Sequence, residues 1–240
     1  MSAPAQISAP ATSAVGILTG GRRHTDCVRR ALLLDLDGVL VDTRSVMQWA
    51  WKKVQENHGV VIPFTDYECH LGREFGDIMQ RLGVADIDGV RQTYEAESVA
   101  AAHLAHAYTG VVEVLHAFVT AGWRLGVVTS KHVDRAAPLL ARLECPFGTV
   151  RTPAGAGRAK PAPDPILLAL VDLGVDPGAA VYVGDMAVDQ EAAARAGVAY
   201  VHAGWGYGRP ASPVPRIVSA PKELLTLLSA DVSCIDGGSV

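Results

Sequence analysis

The sequence predicts an α/β fold, a Rossmann-like parallel sheet flanked by helices and interrupted by one small all-helical cap. From Arg30 onward short apolar runs alternate with amphipathic stretches, which is how strands covered by crossover helices read. Three of the runs lead straight into small or acidic residues, at Asp35-Leu-Asp-Gly38, Thr129-Ser-Lys131 and Gly184-Asp185. Ligands in open α/β sheets bind at such carboxyl ends of strands. Finally, about ninety residues separate the first two runs, far more than a crossover helix requires.

Along the chain, residues 1–28 are rich in Ala, Ser, Pro and Gly and read as a disordered tail. Arg22 and Arg23 follow the weakly apolar Val15–Leu18, whereas a secretory leader puts its charges first; an organellar targeting segment is the alternative. A strand is expected over Ala31–Asp35. Helices follow at Thr43–His58, Arg73–Leu82 and Gly89–Tyr108, punctuated by Gly59, Pro63, Gly83 and Gly110. A helix over Val112–Ala121 returns the chain to strands at Arg124–Thr129, Ala180–Val183 and Val198–Val201. Gly204 to Pro215 reads as an irregular loop and Lys222–Ser229 as a last short helix. The expected domains are therefore a catalytic core of residues 29–42 and 109–232, a cap of residues 43–108, and a second tail at 233–240.

At 240 residues and 49% hydrophobic content the chain can bury a sizeable core. A net charge of -4 provides no basic field for a phosphate backbone, so a dedicated nucleic-acid binder is excluded. Cys27, Cys69, Cys145 and Cys234 are scattered without CxxC spacing, which suits a reducing cytoplasm rather than a disulfide framework. No apolar run reaches the roughly 18 to 20 residues of a membrane span.

The chemistry is concentrated at the strand ends. Asp35 and Asp37, two apart on extended chain, project to one side, and such a pair repels unless a cation or proton intervenes. Gly38 permits a tight turn directly after them. Asp185 ends another strand, and Asp189 either faces it from the first helical turn or serves the helix macrodipole. Converging carboxylates imply a hard cation, and oxygen ligands suit magnesium. Lys160, in Lys-Pro-Ala-Pro-Asp164, is approached by a proline-stiffened backbone that can aim its ammonium; alone it reads as a solvated lysine. Thr129 and Ser130 offer a hydroxyl and backbone NH groups to phosphate oxygens, or are an ordinary strand end.

Taken in chain order, Asp35-Leu-Asp37-Gly-Val-Leu-Val-Asp42-Thr, Thr129-Ser-Lys, Lys160-Pro-x-Pro-Asp and Gly-Asp185-x-x-x-Asp189 resemble the four motifs of the haloacid dehalogenase superfamily, over Leu32 to about Gly208. That resemblance implies Asp35 as nucleophile, Asp37 as general acid and base, Thr129 as phosphate ligand and Lys160 as charge-neutralising cation. It also implies Mg2+ held by Asp35, the Asp37 carbonyl and Asp185, with Asp189 in support. The insertion looks like the small helical cap of phosphoglycolate phosphatase-like members. Hydrolysis of a small phosphorylated metabolite through an aspartyl-phosphate is the implied activity. The acid at Asp37 disfavours a dehalogenase or phosphonatase; a sugar phosphomutase shares all four motifs. A phosphoacceptor receiver lacks both the paired acids at the first strand end and the insertion, and the intact acids argue against a silent binding protein.

At finer grain, the sequences around Thr129, Asp185 and Trp205-Gly-Tyr-Gly208 are similar to phosphatases of 3-amino-5-hydroxybenzoate synthesis in actinomycete ansamycin pathways. They imply antibiotic biosynthesis and a sugar or aminosugar phosphate as substrate, with phosphoglycolate the runner-up. In the cap, Leu71-Gly72-Arg73-Glu-Phe75 aligns with that group's substrate-facing loop. Gly72 lets backbone approach a ligand and Arg73 can donate a planar fork, or Arg73 is simply solvated at a helix start. Gly155 to Lys160 lacks the GK[ST] ending of a phosphate loop. His103 and His106 have helical spacing but no third metal ligand. Trp49 and Trp51 cannot share a helix face.

Overall fold

The computed structural model describes residues 29–153, 157–211 and 216–226. Both expected tails, and Leu227 to Ser229 of the expected last helix, lie outside them. In chain order the elements are β1 (Ala31–Leu34), β2 (Val41–Asp42), α1 (Arg44–His58), α2 (Phe64–Glu68), α3 (Phe75–Arg81), α4 (Ile87–Ala100), β3 (His106–Ala107), α5 (Val111–Thr120) and β4 (Arg124–Val128). They continue as α6 (Val133–Ala141), β5 (Thr149–Arg151), α7 (Asp164–Leu173), β6 (Ala180–Gly184), α8 (Ala187–Ala196), β7 (Ala199–Ala203) and β8 (Ile217–Val218).

The Ala-Leu-Leu-Leu of β1 is buried throughout. Leu32 and Leu34 pack with Leu115, Phe118 and Leu139, while the alternate Ala31 and Leu33 pack with Ile166, Leu170 and Ala192. A strand apolar on both faces belongs inside a sheet. Accordingly β1 lies between β4 and β6, in the parallel order β5-β4-β1-β6-β7-β8 among the described residues. One face is covered by α5 and α6 and the other by α7 and α8. Every predicted strand is present within two residues of its expected bounds. The two edge strands, β5 and β8, are too short for alternation to register.

Between β2 and β3, helices α1, α3 and α4 bury their own cluster, which includes Met47, Trp51, Val54, Phe75, Met79 and Tyr94. Trp51 is fully buried, stacks on Tyr67 at 4.6 Å and donates to the Ile62 carbonyl at 2.9 Å. Trp49 lies outside and donates to Glu97 Oε2 at 3.0 Å.

One expected helix is corrected. Gly89–Tyr108 is helical only to Ala100; a 3-10 turn follows, and His106 pairs with Asp42 on an antiparallel strand. The chain re-enters the sheet beside the point where it left, and this two-stranded neck ties the exits together. His103 and His106 therefore do not share a helix.

Candidate active site

Asp35 follows directly on β1, where its backbone N–H still donates to the Val183 carbonyl at 2.9 Å, so its carboxylate emerges at the carboxyl edge of the sheet. The Leu36 N–H donates to Asp35 Oδ1 at 2.7 Å. Gly38, at φ 78°, then turns the chain, and Gly38 N–H closes on the Val41 carbonyl at 3.0 Å. A Cβ on Gly38 would sit 2.1 Å from Asp185 Oδ2, so the turn is also a close approach.

Lys160, in the loop leading to α7, reaches the same edge. Its Nζ lies 3.1 Å from Asp35 Oδ2 and 2.7 Å from Asp189 Oδ1, and donates to the Tyr182 hydroxyl at 3.2 Å. Burial works to lower its ammonium pKa, but Asp189 and Asp35 outweigh burial and hold it above the ordinary value. Asp189 is fully enclosed: Oδ1 also receives the Tyr182 hydroxyl at 3.0 Å, and Oδ2 receives the Met186 N–H at 3.0 Å at the start of α8. With its oxygens taken by donors, Asp189 is a holder of Lys160.

Asp185 is different. The Tyr207 N–H donates to Oδ2 at 2.8 Å, whereas Oδ1 is buried with no hydrogen-bond partner. Burial pushes its carboxyl well above the usual range, and the neighbouring Asp189 and Asp35 charges add to the rise. Burial likewise raises Asp35, to about 7, with Lys160 opposing and Asp189 and Asp37 adding. One oxygen from each of Asp35, Asp185 and Asp189 lies within 4.8 Å of the others. An orphaned buried carboxylate oxygen beside a second carboxylate, all hard donors, fits a divalent cation such as Mg2+.

Asp37 faces the cleft from the turn. Its Oδ1 accepts from the Thr43 hydroxyl and lies 3.1 Å from Lys131 Nζ. Burial pulls the Lys131 ammonium below its ordinary value; Asp37 opposes this and Arg135 adds to it. Thr129, at the end of β4, accepts the Lys131 N–H at 3.1 Å, which leaves its hydroxyl proton available. The Ser130 hydroxyl donates instead to the Gly72 carbonyl at 2.6 Å, tying the strand end to the cap. Gly72, at φ 84°, packs so closely that a Cβ would come within 2.7 Å of Val188 Cγ2. Arg73, just before α3, also lines the cleft, but its Nη1 is 3.2 Å from Asp77 Oδ2 in the first turn of that helix.

A cleft with a volume of about 60 Å³ lies between strand ends and cap, and its walls include Asp35, Asp37, Thr129, Asp185, Gly72 and Arg73. Thus the fold brings the expected residues to one place, with Lys160 and Asp189 just behind. Sequence reasoning assigned no part to Lys131, Tyr182, Tyr207 or Arg135. The first and third stand in quoted motif segments, but nothing local marks their partners.

A model of the haloacid dehalogenase-like hydrolases matches residues 32–203, most of the chain. The chain belongs to that family. It is 29% identical to the N-acetylmuramic acid 6-phosphate phosphatase of Pseudomonas aeruginosa, over 83% of this chain and 94% of the relative. A plasmid-encoded phosphoglycolate phosphatase of Cupriavidus necator is 30% identical over 83% and 91%. The solved structure of a hydrolase from Pseudomonas syringae superposes with a TM-score of 0.76 at 21% identity, covering 84% of this chain and 99% of that one, which speaks to the fold alone. With such relatives the protein is a phosphatase. Among the described residues no helix is long and apolar enough to cross a membrane.

Proposed function

We propose that the protein is a magnesium-dependent phosphomonoester hydrolase that acts through an aspartyl-phosphate on a small phosphorylated metabolite. The observation that carries this reading is the buried group of Asp35, Asp185 and Lys160 beside Asp37, with one Asp185 oxygen lacking any partner. Asp35 and Asp185, with the Asp37 carbonyl, are the ligands proposed for Mg2+, and Asp189 supports them through Lys160. When bound, the ion offsets negative charge shared by the carboxylates and the phosphate.

In the first step an Asp35 carboxylate oxygen attacks phosphorus and the P–O bond to the alcohol breaks, while the Asp37 carboxyl delivers its proton to the departing oxygen. Thr43 and Lys131 both contact Oδ1, so Oδ2 is the oxygen open to the leaving group. Next, the ionised Asp37 takes a proton from water, the water oxygen bonds to phosphorus, and the Asp35–phosphorus bond breaks to release phosphate. Lys160 beside Asp35, and the Thr129 hydroxyl, stabilise charge on the phosphoryl oxygens. The Gly72–Arg73 loop borders the leaving group.

For the substrate, the notable support is that the two relatives are named for a phosphorylated amino-sugar acid and for phosphoglycolate. We place this protein's substrate among sugar or aminosugar phosphates and phosphoglycolate. The test is phosphate release from such a panel with and without magnesium, with isomer formation followed for hexose 1-phosphates. Magnesium-dependent release that disappears in Asp35→Asn is expected. Isomerisation without net release would identify a mutase, and release that survives in Asp35→Asn would overturn the mechanism.

A further inference from the structure

The cations at the cleft differ in how fully their charge is used. Lys160 is held by Asp35 and Asp189, Lys131 by Asp37 at 3.1 Å, and Arg73 by Asp77 at 3.2 Å. Arg135, on the first turn of α6, stands apart. Its nearest acidic oxygen, Glu95 Oε1, is 3.8 Å from an Nη, beyond hydrogen-bond reach. Its Nε is buried without a hydrogen-bond partner, and the side chain is only 11% exposed. The guanidinium lies 5.5 Å from the centre of the Tyr94 ring, and Arg135 and Tyr94 both line the cleft.

A guanidinium has five N–H donors in a planar fork, and a buried donor left unpaired is costly. Such a group stands on a wall shared with the catalytic carboxylates, and its Nη groups, which are not enclosed as Nε is and make no hydrogen bond to Glu95, are the donors that a ligand's acceptor can meet. We propose that Arg135 is a specificity-determining residue, whose fork takes a carboxylate carried by the leaving alcohol, so that the preferred substrates are monophosphates of hydroxy acids. This rests on the phosphatase reading above. A carboxylate, rather than a second phosphate, matches one guanidinium whose neighbouring Lys131 is already paired. It also moves the main determinant from the cap to the core: α6 follows the β4 end that holds Thr129, so Arg135 keeps a fixed position relative to the reacting groups.

The competing role is a strut, with Arg135 joining α6 to α4 through Glu95 and Tyr94. To separate the two, kcat/KM is measured for phosphoglycolate and for its neutral amide, and the acid-to-amide ratio is compared between variants. In the wild type we expect a ratio of at least about tenfold, since the amide keeps one acceptor oxygen but loses the charge and turns an NH2 toward the second donor of the fork. Arg135→Met should bring that ratio close to one, Arg135→Lys should leave an intermediate value, and Glu95→Gln, which removes only the strut partner, should preserve or raise it. Loss of activity on both esters by one common factor in Arg135→Met overturns the proposal, as does a wild-type ratio near one. Preference for ethylene glycol bisphosphate over phosphoglycolate overturns the carboxylate assignment. If the wild type cleaves an aryl phosphate yet shows no preference for the acid, only this proposal falls. Should it cleave no ester at all, the hydrolase reading falls, and this one with it.

Discussion

The metal-free protein should lose stability as its site ionises, and replacing Asp35 by its neutral isostere should remove the share of that loss due to Asp35 while leaving the share due to the buried Asp185. Asp35 has a folded-state pKa of about 7 against an ordinary 3.8, because burial and the nearby Asp189 and Asp37 outweigh Lys160. A raised acid pKa means that the folded protein binds the proton more tightly than the unfolded chain. The stabilisation is therefore complete below about pH 4 and is lost as pH rises through 7. A rise of that size corresponds to a few kcal/mol in all, of which about half or more falls between pH 5 and pH 8. Urea unfolding in EDTA across that range should show the stability of the wild type, relative to Asp35→Asn, falling by an amount of that order. Millimolar magnesium, binding only the folded ionised site, should then stabilise the wild type more at pH 8 than at pH 5. A stability difference between the two proteins that stays flat with pH, or that rises in favour of the wild type without metal, would refute the electrostatic reasoning.

Other substitutions test the assigned parts singly. Asp37→Asn should slow release from alkyl esters far more than from activated aryl phosphates in a single-turnover phosphorylation assay, since a good leaving group needs no proton; equal losses would remove Asp37 from the acid role. Lys160→Ala should lower kcat/KM by about a hundredfold to a thousandfold, as for other fixed charges that stabilise a transition state, and near-normal kinetics would contradict its place beside Asp35. Asp185→Ala should raise the magnesium concentration for half-maximal activity, a titration that an unchanged midpoint would decide against. In Gly206→Ala the new Cβ would lie 2.3 Å from Asp185 Cβ, so a destabilisation of about 1 to 3 kcal/mol and weaker magnesium dependence are expected; unaltered Tm and midpoint would mean that the loop yields freely.

Much of this site can be read directly from the chain. The run Ala-Leu-Leu-Leu before Asp35 carries a central strand, and the two-residue spacing of Asp35 and Asp37 with Gly38 carries the turn, because side-chain alternation and glycine's freedom are local properties. The pairing of Arg73, just before α3, with Asp77 in its first turn is equally local, the two being four residues apart. By contrast, the α4 helix stops at Ala100 because the chain has to rejoin the sheet beside β2, a requirement set by residues some sixty positions away. Edge strands β5 and β8 exist by pairing with longer neighbours, not by pattern. The same holds for chemistry: the Ser130 hydroxyl meets Gly72 only when the cap closes on the core, and Lys131 meets Asp37 across a separation of more than ninety residues. Residue types and spacing nominate the charges, but their energies depend on burial and on every neighbouring charge. Which acid is left with a bare oxygen, and which arginine with a spare donor, is a sum over contacts that only the folded chain assembles.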